Sequence, residues 1–370
     1  MKKEIPFFDY PQLFNSSEKD LINIFQEVSG RGAFIMQQDL EEFENNLANY
    51  TDSKYAVGVA NATDGLQIGL MAGGLQKGGE VIISSHTMIA TASAIHFAGG
   101  VPVPVDCGKD LMIDLTSAVK EINDKTVAIM PTQLNGRTCN MDEIKEFASK
   151  YNLAIYEDAA QALGSKFKNK QAGTFGISSA ISLYPAKILG CLGDGGAILT
   201  DDKDVYEKIM LLRDHGRDPD TGEVVSWGFN SRLDNLQAAF LNYFFSKYDE
   251  VISKRRYLAQ LYDEGLKEID EVYLPEPPND GDHFDVFQNY EIQVKDRNKL
   301  KEFLFENGIG TLIQWGGKAI HQFSGIGIEK HLPFTDKIFL EILMLPLNLF
   351  IEEDDVKYVI KNIKNFYSKN

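Results

Sequence analysis

The stretch Tyr55–Leu70, "YAVGVANATDGLQIGL", reads as a strand, a tight turn and a helix. Val57 and Val59 suit a buried strand, and Asn61, Ala62, Thr63 and Asp64 fall at the start of the helix that follows. The pattern recurs along the next hundred or so residues. "EVIIS" (80–84), "VPVPVD" (101–106), "VAIMPT" (127–132) and "LAIYED" (153–158) read as strands. "DGLQIGLMAGGL" (64–75), "IATASAIHFAGG" (89–100) and "MDEIKEFASKYN" (141–152) read as helices between them. Such alternation predicts an α/β fold with mainly parallel strands and helices on both faces. Ligands of such sheets bind beyond the carboxyl ends of the strands, so the residues after each strand are the ones to inspect.

Beyond Arg232 the pattern changes. Residues 232–269 read as one long helical stretch or two in series, and "PEPPNDGDHFD" (275–285) reads as a linker. The remainder alternates strand and helix again. The expected division is a large domain over 1–245 and a smaller C-terminal α/β domain over 246–370.

Composition narrows the function. The 370 residues carry a net charge of −17, and so acidic a surface argues against a nucleic-acid partner. No apolar run is long enough to cross a membrane, and the first residues lack the apolar core of a signal peptide. Cys107, Cys139 and Cys191 are widely spaced, which fits a reducing cytoplasm and neither a disulfide frame nor a structural zinc site. The six histidines, at 86, 96, 215, 283, 321 and 331, form no helical pair, so no metal is expected.

Three stretches carry chemistry. The free N–H groups at Ala62 and Thr63 suit a phosphate, although an ordinary cap by Thr63 or Asp64 explains the same residues. Glu157 and Asp158 end a strand, where a carboxylate is either a helix cap or a fixed anion facing a ligand. Lys187 lies in "SAISLYPAKILGCLGDGGAILT" (179–200). Most lysines are solvated. Here Ser182 stands ready for an anion, Pro185 stiffens the loop and the glycines admit close backbone approach. A desolvated lysine in such a place is a nucleophile towards an aldehyde. A phosphate seat, a carboxylate and a nucleophilic lysine together match the needs of pyridoxal 5'-phosphate. The Walker pattern and G-x-G-x-x-G are absent after the first strand, which sets aside a P-loop and a nicotinamide dehydrogenase.

"NATDGL", "HTMIATASAIHFAGGVPVPVD", "YEDAAQALGS", "SLYPAKILGCLGDGGAILT", "LRDHG" and "GFNSRLDNLQAA" occur in this order. With them the chain resembles the DegT/DnrJ/EryC1/StrS family of nucleotide-sugar aminotransferases. The resemblance implies the type I fold of pyridoxal phosphate enzymes, with a mainly parallel seven-stranded sheet. It implies that Lys187 bonds the cofactor aldehyde and then shuttles a proton, and that Asp158 pairs with the pyridine nitrogen. Gln161 would bond the ring hydroxyl, and Ala62, Thr63 and Ser182 the phosphate. Asn230 would reach that phosphate from a second subunit of a homodimer. Met88 stands where the family usually has an aromatic residue over the ring, and Ala62 where it usually has glycine. Gln133, Leu134 and Asn135 replace a His-Leu-Tyr-Gly type of segment.

The resemblance also bears on substrate. Members that aminate C3 of the sugar tend to read "NLGALGDGGA" after the lysine, and this chain reads "ILGCLGDGGA". The expected substrates are L-glutamate and a nucleotide-linked 3-keto-6-deoxyhexose, with a pyridoxamine phosphate half-cycle. C4 amination of a 4-keto sugar is the alternative, and a non-catalytic regulatory protein on the same fold a more distant one. Tyr184 is a candidate contact to the hexose. Lys318 and His321 could face the diphosphate, and Trp315 could stack on a base or sugar. A solvated Lys318 and a core Trp315 fit the sequence as well.

Overall fold

A computed structural model of the chain describes residues 3–279 and 281–368. Asp280 of the expected linker, and residues 1, 2, 369 and 370 at the ends of the expected domains, lie outside the described residues. In chain order the strands are β1 (Tyr55–Val59), β2 (Glu80–Ser84), β3 (Val101–Val105), β4 (Thr126–Met130), β5 (Ala154–Ile155), β6 (Glu157–Asp158), β7 (Lys166–Phe167), β8 (Lys170–Gln171), β9 (Ser179–Ser182), β10 (Gly196–Thr200), β11 (Val272–Tyr273), β12 (His283–Phe284), β13 (Tyr290–Val294) and β14 (Ile342–Leu345).

Two four-stranded sheets, β3-β2-β4-β5 and β6-β9-β10-β1, meet where β5 runs on into β6, and a parallel bridge between Thr132 and Asp158 continues the first into the second. β5 and β6 are a single strand interrupted at Tyr156, whose N–H donates to Ile129 while that of Glu157 donates to Ser178. This gives seven strand positions among the described residues, parallel except for β10, which runs antiparallel to both β9 and β1. The turnabout follows from the connection. β9 and β10 are joined by the loop carrying Lys187, with no helix to return the chain to the starting edge, as a parallel pair would need.

Successive side chains of a strand point to opposite faces, and both faces are apolar. Val81, Ile83, Ala128 and Met130 pack with Leu66 and Leu70 of the helix Ala62–Ala72 and with Ile95 of the helix Ile89–Phe97. Ile82 and Ile129 turn the other way, onto Ile144 and Phe147 of the helix Met141–Tyr151. Each such valine, leucine, isoleucine, phenylalanine or methionine side chain stabilises the fold by about 1.5–3 kcal/mol when fully buried.

The C-terminal part has its own sheet, β11-β13-β14, and its own cluster around Tyr262, Tyr290, Leu300, Leu343 and Val359. The long helical stretch after Arg232 is two helices, Asn235–Phe245 and Tyr248–Leu266. The second spans both clusters: Tyr248 and Ile252 pack with Phe43 and Leu183, while Leu258 and Tyr262 belong to the C-terminal cluster. Ile5, expected with the large domain, also lies in the C-terminal cluster. Part of the expected linker is ordered as a strand, β12 pairing with β7.

One close approach fixes the helix Ala62–Ala72 on the sheet. A methyl group at Gly196 would sit 2.5 Å from the carbonyl carbon of Asn61 and 2.6 Å from the nitrogen of Ala62. Gly196→Ala is therefore expected to destabilise the protein by about 1–3 kcal/mol. A lowered melting temperature checks this. Gly30→Ala, where a methyl group meets nothing within 4 Å, is the control and is expected to be neutral or mildly stabilising.

Candidate active site

Strands β1, β2, β4, β6 and β9 end along one edge of the sheet, and β10 begins there. Their ends frame a cavity of about 490 Å³, a size that suits a cofactor or small ligand. Ala62, Thr63, Met88, Asp158, Gln161, Ser182, Tyr184, Lys187 and Trp315 all line it, with Thr87, Thr132 and Asp194.

The cavity's first wall is the start of the helix Ala62–Ala72. Asn61 is the N-cap, and its Oδ1 accepts from the N–H of Asp64 at 2.9 Å. The cap leaves the Ala62 and Thr63 N–H groups, at the first two helical positions, without a helical carbonyl. Thus Asn61, neither Thr63 nor Asp64, is the cap. Ser231 Oγ donates to the Asp64 carboxylate at 2.7 Å, which occupies that neighbouring negative charge.

The two carboxylates at the end of β6 part company, because consecutive residues of a strand face opposite sides. Glu157 turns away from the cavity. It accepts from the N–H groups of Gly173, Phe175 and Gly176 and from Gln133 Nε2, and so holds the 171–176 turn. Asp158 enters the cavity and is 3% exposed. Its Oδ2 accepts from Thr91 Oγ1 at 2.6 Å and its Oδ1 from the Ala160 N–H at 3.2 Å. Thr91 spends its proton on Asp158, so Thr87 must donate to Thr91 and Thr132 to Thr87, both at 2.8 Å. Burial pushes the Asp158 carboxyl up, opposed by Thr91, Ala160 and the nearby Lys187 charge.

Lys187 sits in the loop after β9, its backbone N–H bonded to the Tyr184 carbonyl. Desolvation lowers its ammonium from 10.5 to about 8, with Asp158 pulling the other way. Among the described residues its Nζ has no hydrogen-bond partner. Among the described residues Ser182 Oγ accepts only a long contact from the Tyr184 N–H, at 3.4 Å, and keeps its proton for another acceptor. Gln161 Oε1 accepts from the Asn135 N–H at 2.8 Å, which leaves the Gln161 amide protons available to the cavity. Met88, at 47% exposure, caps the helix Ile89–Phe97 beside the opening. Trp315 brings an indole whose buried Nε1 has no partner.

Three expected residues lie elsewhere. Asn230 is exposed on the segment 215–230 and does not line this chain's cavity. Lys318 is exposed and outside the cavity. His321 has both ring nitrogens occupied, Nδ1 by Ser85 Oγ at 2.7 Å and Nε2 by Asp336 Oδ1 at 2.9 Å, and it ties the end of β2 to the C-terminal part. The threonine relay behind Asp158 and the role of Asn135 were not anticipated. The only trace of the relay in the sequence is the i, i+4 spacing of Thr87 and Thr91, which places both hydroxyls on one side of a helix start.

The residues fit pyridoxal phosphate. A phosphate has unbonded N–H donors and a serine hydroxyl, an aldehyde has an amine without a partner, and a ring cation has a buried carboxylate. Because burial disfavours the ammonium, neutral amine accumulates at Lys187 as pH rises through about 8, well below the ordinary 10.5. Borohydride trapping of a small aromatic aldehyde, read by peptide mass spectrometry, is therefore expected to mark Lys187 with a midpoint near pH 8. Labelling that rises only near pH 10 would show a solvated lysine.

Residues 15–364 match the DegT/DnrJ/EryC1/StrS aminotransferase family. A Geobacillus stearothermophilus protein named pleiotropic regulatory protein is 34% identical over 367 residues, covering 98% of both chains. The dTDP-3-amino-3,6-dideoxy-alpha-D-galactopyranose transaminase of Aneurinibacillus thermoaerophilus is 33% identical over 368 residues, covering 98% of this chain and 99% of its own. The crystal structure of S. venezuelae DesV in complex with a ketimine intermediate matches with a TM-score of 0.93 at 31% identity, over 98% of both chains. From the seven-position sheet to the lysine loop and the carboxylate facing it, the chain belongs to the DegT/DnrJ/EryC1/StrS aminotransferase family.

Proposed function

We propose that the protein is a pyridoxal phosphate-dependent aminotransferase that moves the amino group of L-glutamate to C3 of a nucleotide-linked 3-keto-6-deoxyhexose. The observation that carries the cofactor is the meeting of Lys187, Asp158 and the open helix start at Ala62 in one cavity. The C3 choice is supported by the loop "ILGCLGDGGA" and by the Aneurinibacillus relative, named for a 3-amino sugar.

When bound, the cofactor supplies an aldehyde that takes up the amino group and a ring that withdraws electrons from the carbon losing its proton. Asp158 holds positive charge at the ring nitrogen, its own charge kept in place by Thr91 and the Ala160 N–H. Gln161 directs its amide protons to the ring hydroxyl. Ala62, Thr63 and Ser182 hold the phosphate. Lys187, with a proton affinity matched to neutral conditions, takes and returns the proton at the substrate carbon. Met88 covers the ring through its polarizable sulfur, and Tyr184 and Trp315 form the sugar wall. The diphosphate is left to Lys318; His321, with both nitrogens bonded, has no part in this reading.

A homodimer completes the site, with Asn230 reaching the partner's phosphate. Val224, Val225 and Trp227, the last 96% exposed, form an apolar surface on the same segment and support this assembly. The three buried free cysteines support a cytoplasmic setting. Among the described residues no helix is long and apolar enough to cross a membrane, and no group of three or more potential metal ligands occurs.

Two other readings have a specific basis. The Geobacillus relative's name supports a regulatory role, and C4 amination would use the same cavity. Absorbance spectroscopy with pyridoxal phosphate tests the cofactor first. The wild type is expected to develop a visible band that L-glutamate discharges. Lys187→Ala is expected to lack the band and to lose at least about 10²-fold in turnover, the lower range for a lost acid–base group. A band that L-glutamate leaves unchanged would favour the regulatory reading. NMR of the aminated sugar then distinguishes C3 from C4.

A further inference from the structure

Asn135 does not line the cofactor cavity, yet it holds a residue that does. Its backbone N–H donates to Gln161 Oε1 at 2.8 Å. Without that bond the Gln161 amide could rotate and present oxygen, not N–H, to the cavity. Asn135 stands at φ 56, in the left-handed region that asparagine tolerates better than most residues.

The Asn135 side chain is held from three directions. Nδ2 donates to Glu291 Oε2 at 2.9 Å. Oδ1 accepts from Asn289 Nδ2 at 2.9 Å and from Gln314 Nε2. Glu291 lies on β13, Asn289 just before it, and Gln314 immediately precedes Trp315. One asparagine thus joins the ring side of the cavity, the sheet of the C-terminal part and the loop that carries the Trp315 wall.

Packing encloses it only in part. Asn135, Asn289 and Glu291 also line a second cavity of about 260 Å³. A side chain bordered by open space lacks close-packed neighbours on that side, so hydrogen bonds set its position. His86, buried beneath with Nε2 3.8 Å from Glu291, adds no hydrogen bond.

We infer that Asn135 is a positioning residue: clamped by Glu291, Asn289 and Gln314, it fixes the orientation of Gln161 and couples it to the Trp315 wall. The inference rests on the reading that the cavity takes pyridoxal phosphate. Asn135→Gly removes the side chain while keeping the left-handed backbone accessible. Titration of the apoprotein with pyridoxal phosphate, followed by absorbance, gives the Kd of the wild type, Asn135→Gly, Gln161→Ala and the double variant. Each single change is expected to weaken binding roughly tenfold, the scale of one buried hydrogen bond. The double variant is expected to bind no more weakly than Gln161→Ala alone, because the two act through one contact.

A second readout is Trp315 emission in a Trp227→Phe background, where Trp315 is the remaining tryptophan. Asn135→Gly is expected to shift it and Gln161→Ala to leave it unchanged. A wild-type Kd in Asn135→Gly, even with a lowered melting temperature, would overturn the inference in favour of a purely structural role. So would single effects that multiply in the double variant. Should Asn135→Gly fail to fold, Gln314→Met, which removes one donor to Asn135, carries the same comparison: movement of both Kd and emission supports the coupling, and an unchanged Kd overturns it. If the wild type itself binds no pyridoxal phosphate, the cofactor reading falls first, and the inference with it.

Discussion

Lys187, half-buried, and Asp158, buried, are opposite charges in one cleft, and among the described residues no hydrogen bond joins them. Removing either from water is expensive, and their attraction across the cavity offsets only part of that. Asp158 recovers more through Thr91 and the Ala160 N–H. Lys187 recovers nothing further, and its proton affinity falls accordingly. The rest of the large sheet serves this arrangement. Asp158 arrives at the end of one strand and Lys187 in the loop after its parallel neighbour, so strand register fixes both on the same edge.

The pair also explains the polar residues behind it. A buried carboxylate needs donors that cannot leave, and three threonine hydroxyls in series form a chain of hydrogen bonds ending on Asp158. Glu157 is a neighbour with a different task. It faces the opposite side of the strand and satisfies three backbone N–H groups of a tight turn. Adjacent carboxylates therefore divide into one that builds the fold and one that faces the cavity.

The far wall is made differently. Trp315 belongs to the C-terminal part, in a loop with Trp315, Gly316 and Gly317 all at positive φ. Gln314, which precedes Trp315, bonds Asn135 beside a second cavity. The Trp315 side chain also packs against the apolar cluster around Ile82, Ile129 and Leu134, so this wall is held by packing and by hydrogen bonds together.

Much of this was legible from the chain. The valine- and isoleucine-rich runs determined the strands, because only a sheet covered on both faces accommodates such continuous apolar runs. The residues after those strands supplied the helix start, the carboxylate and the lysine that line the cavity. Other features depended on contacts between distant segments. The sequence of β10, "GAILT", suits either direction, and its antiparallel course shows in its pairing with β9 and β1. That Asp158 and not Glu157 faces the cavity is a matter of strand phase. That His321 is bonded at both ring nitrogens depends on Ser85 and Asp336, and that Asn135 steadies Gln161 depends on Glu291 and Gln314. The sequence determined which local elements form and which chemical groups they carry. The tertiary structure decided which of those groups meet, because hydrogen bonds between residues far apart in the chain leave no periodic mark along it.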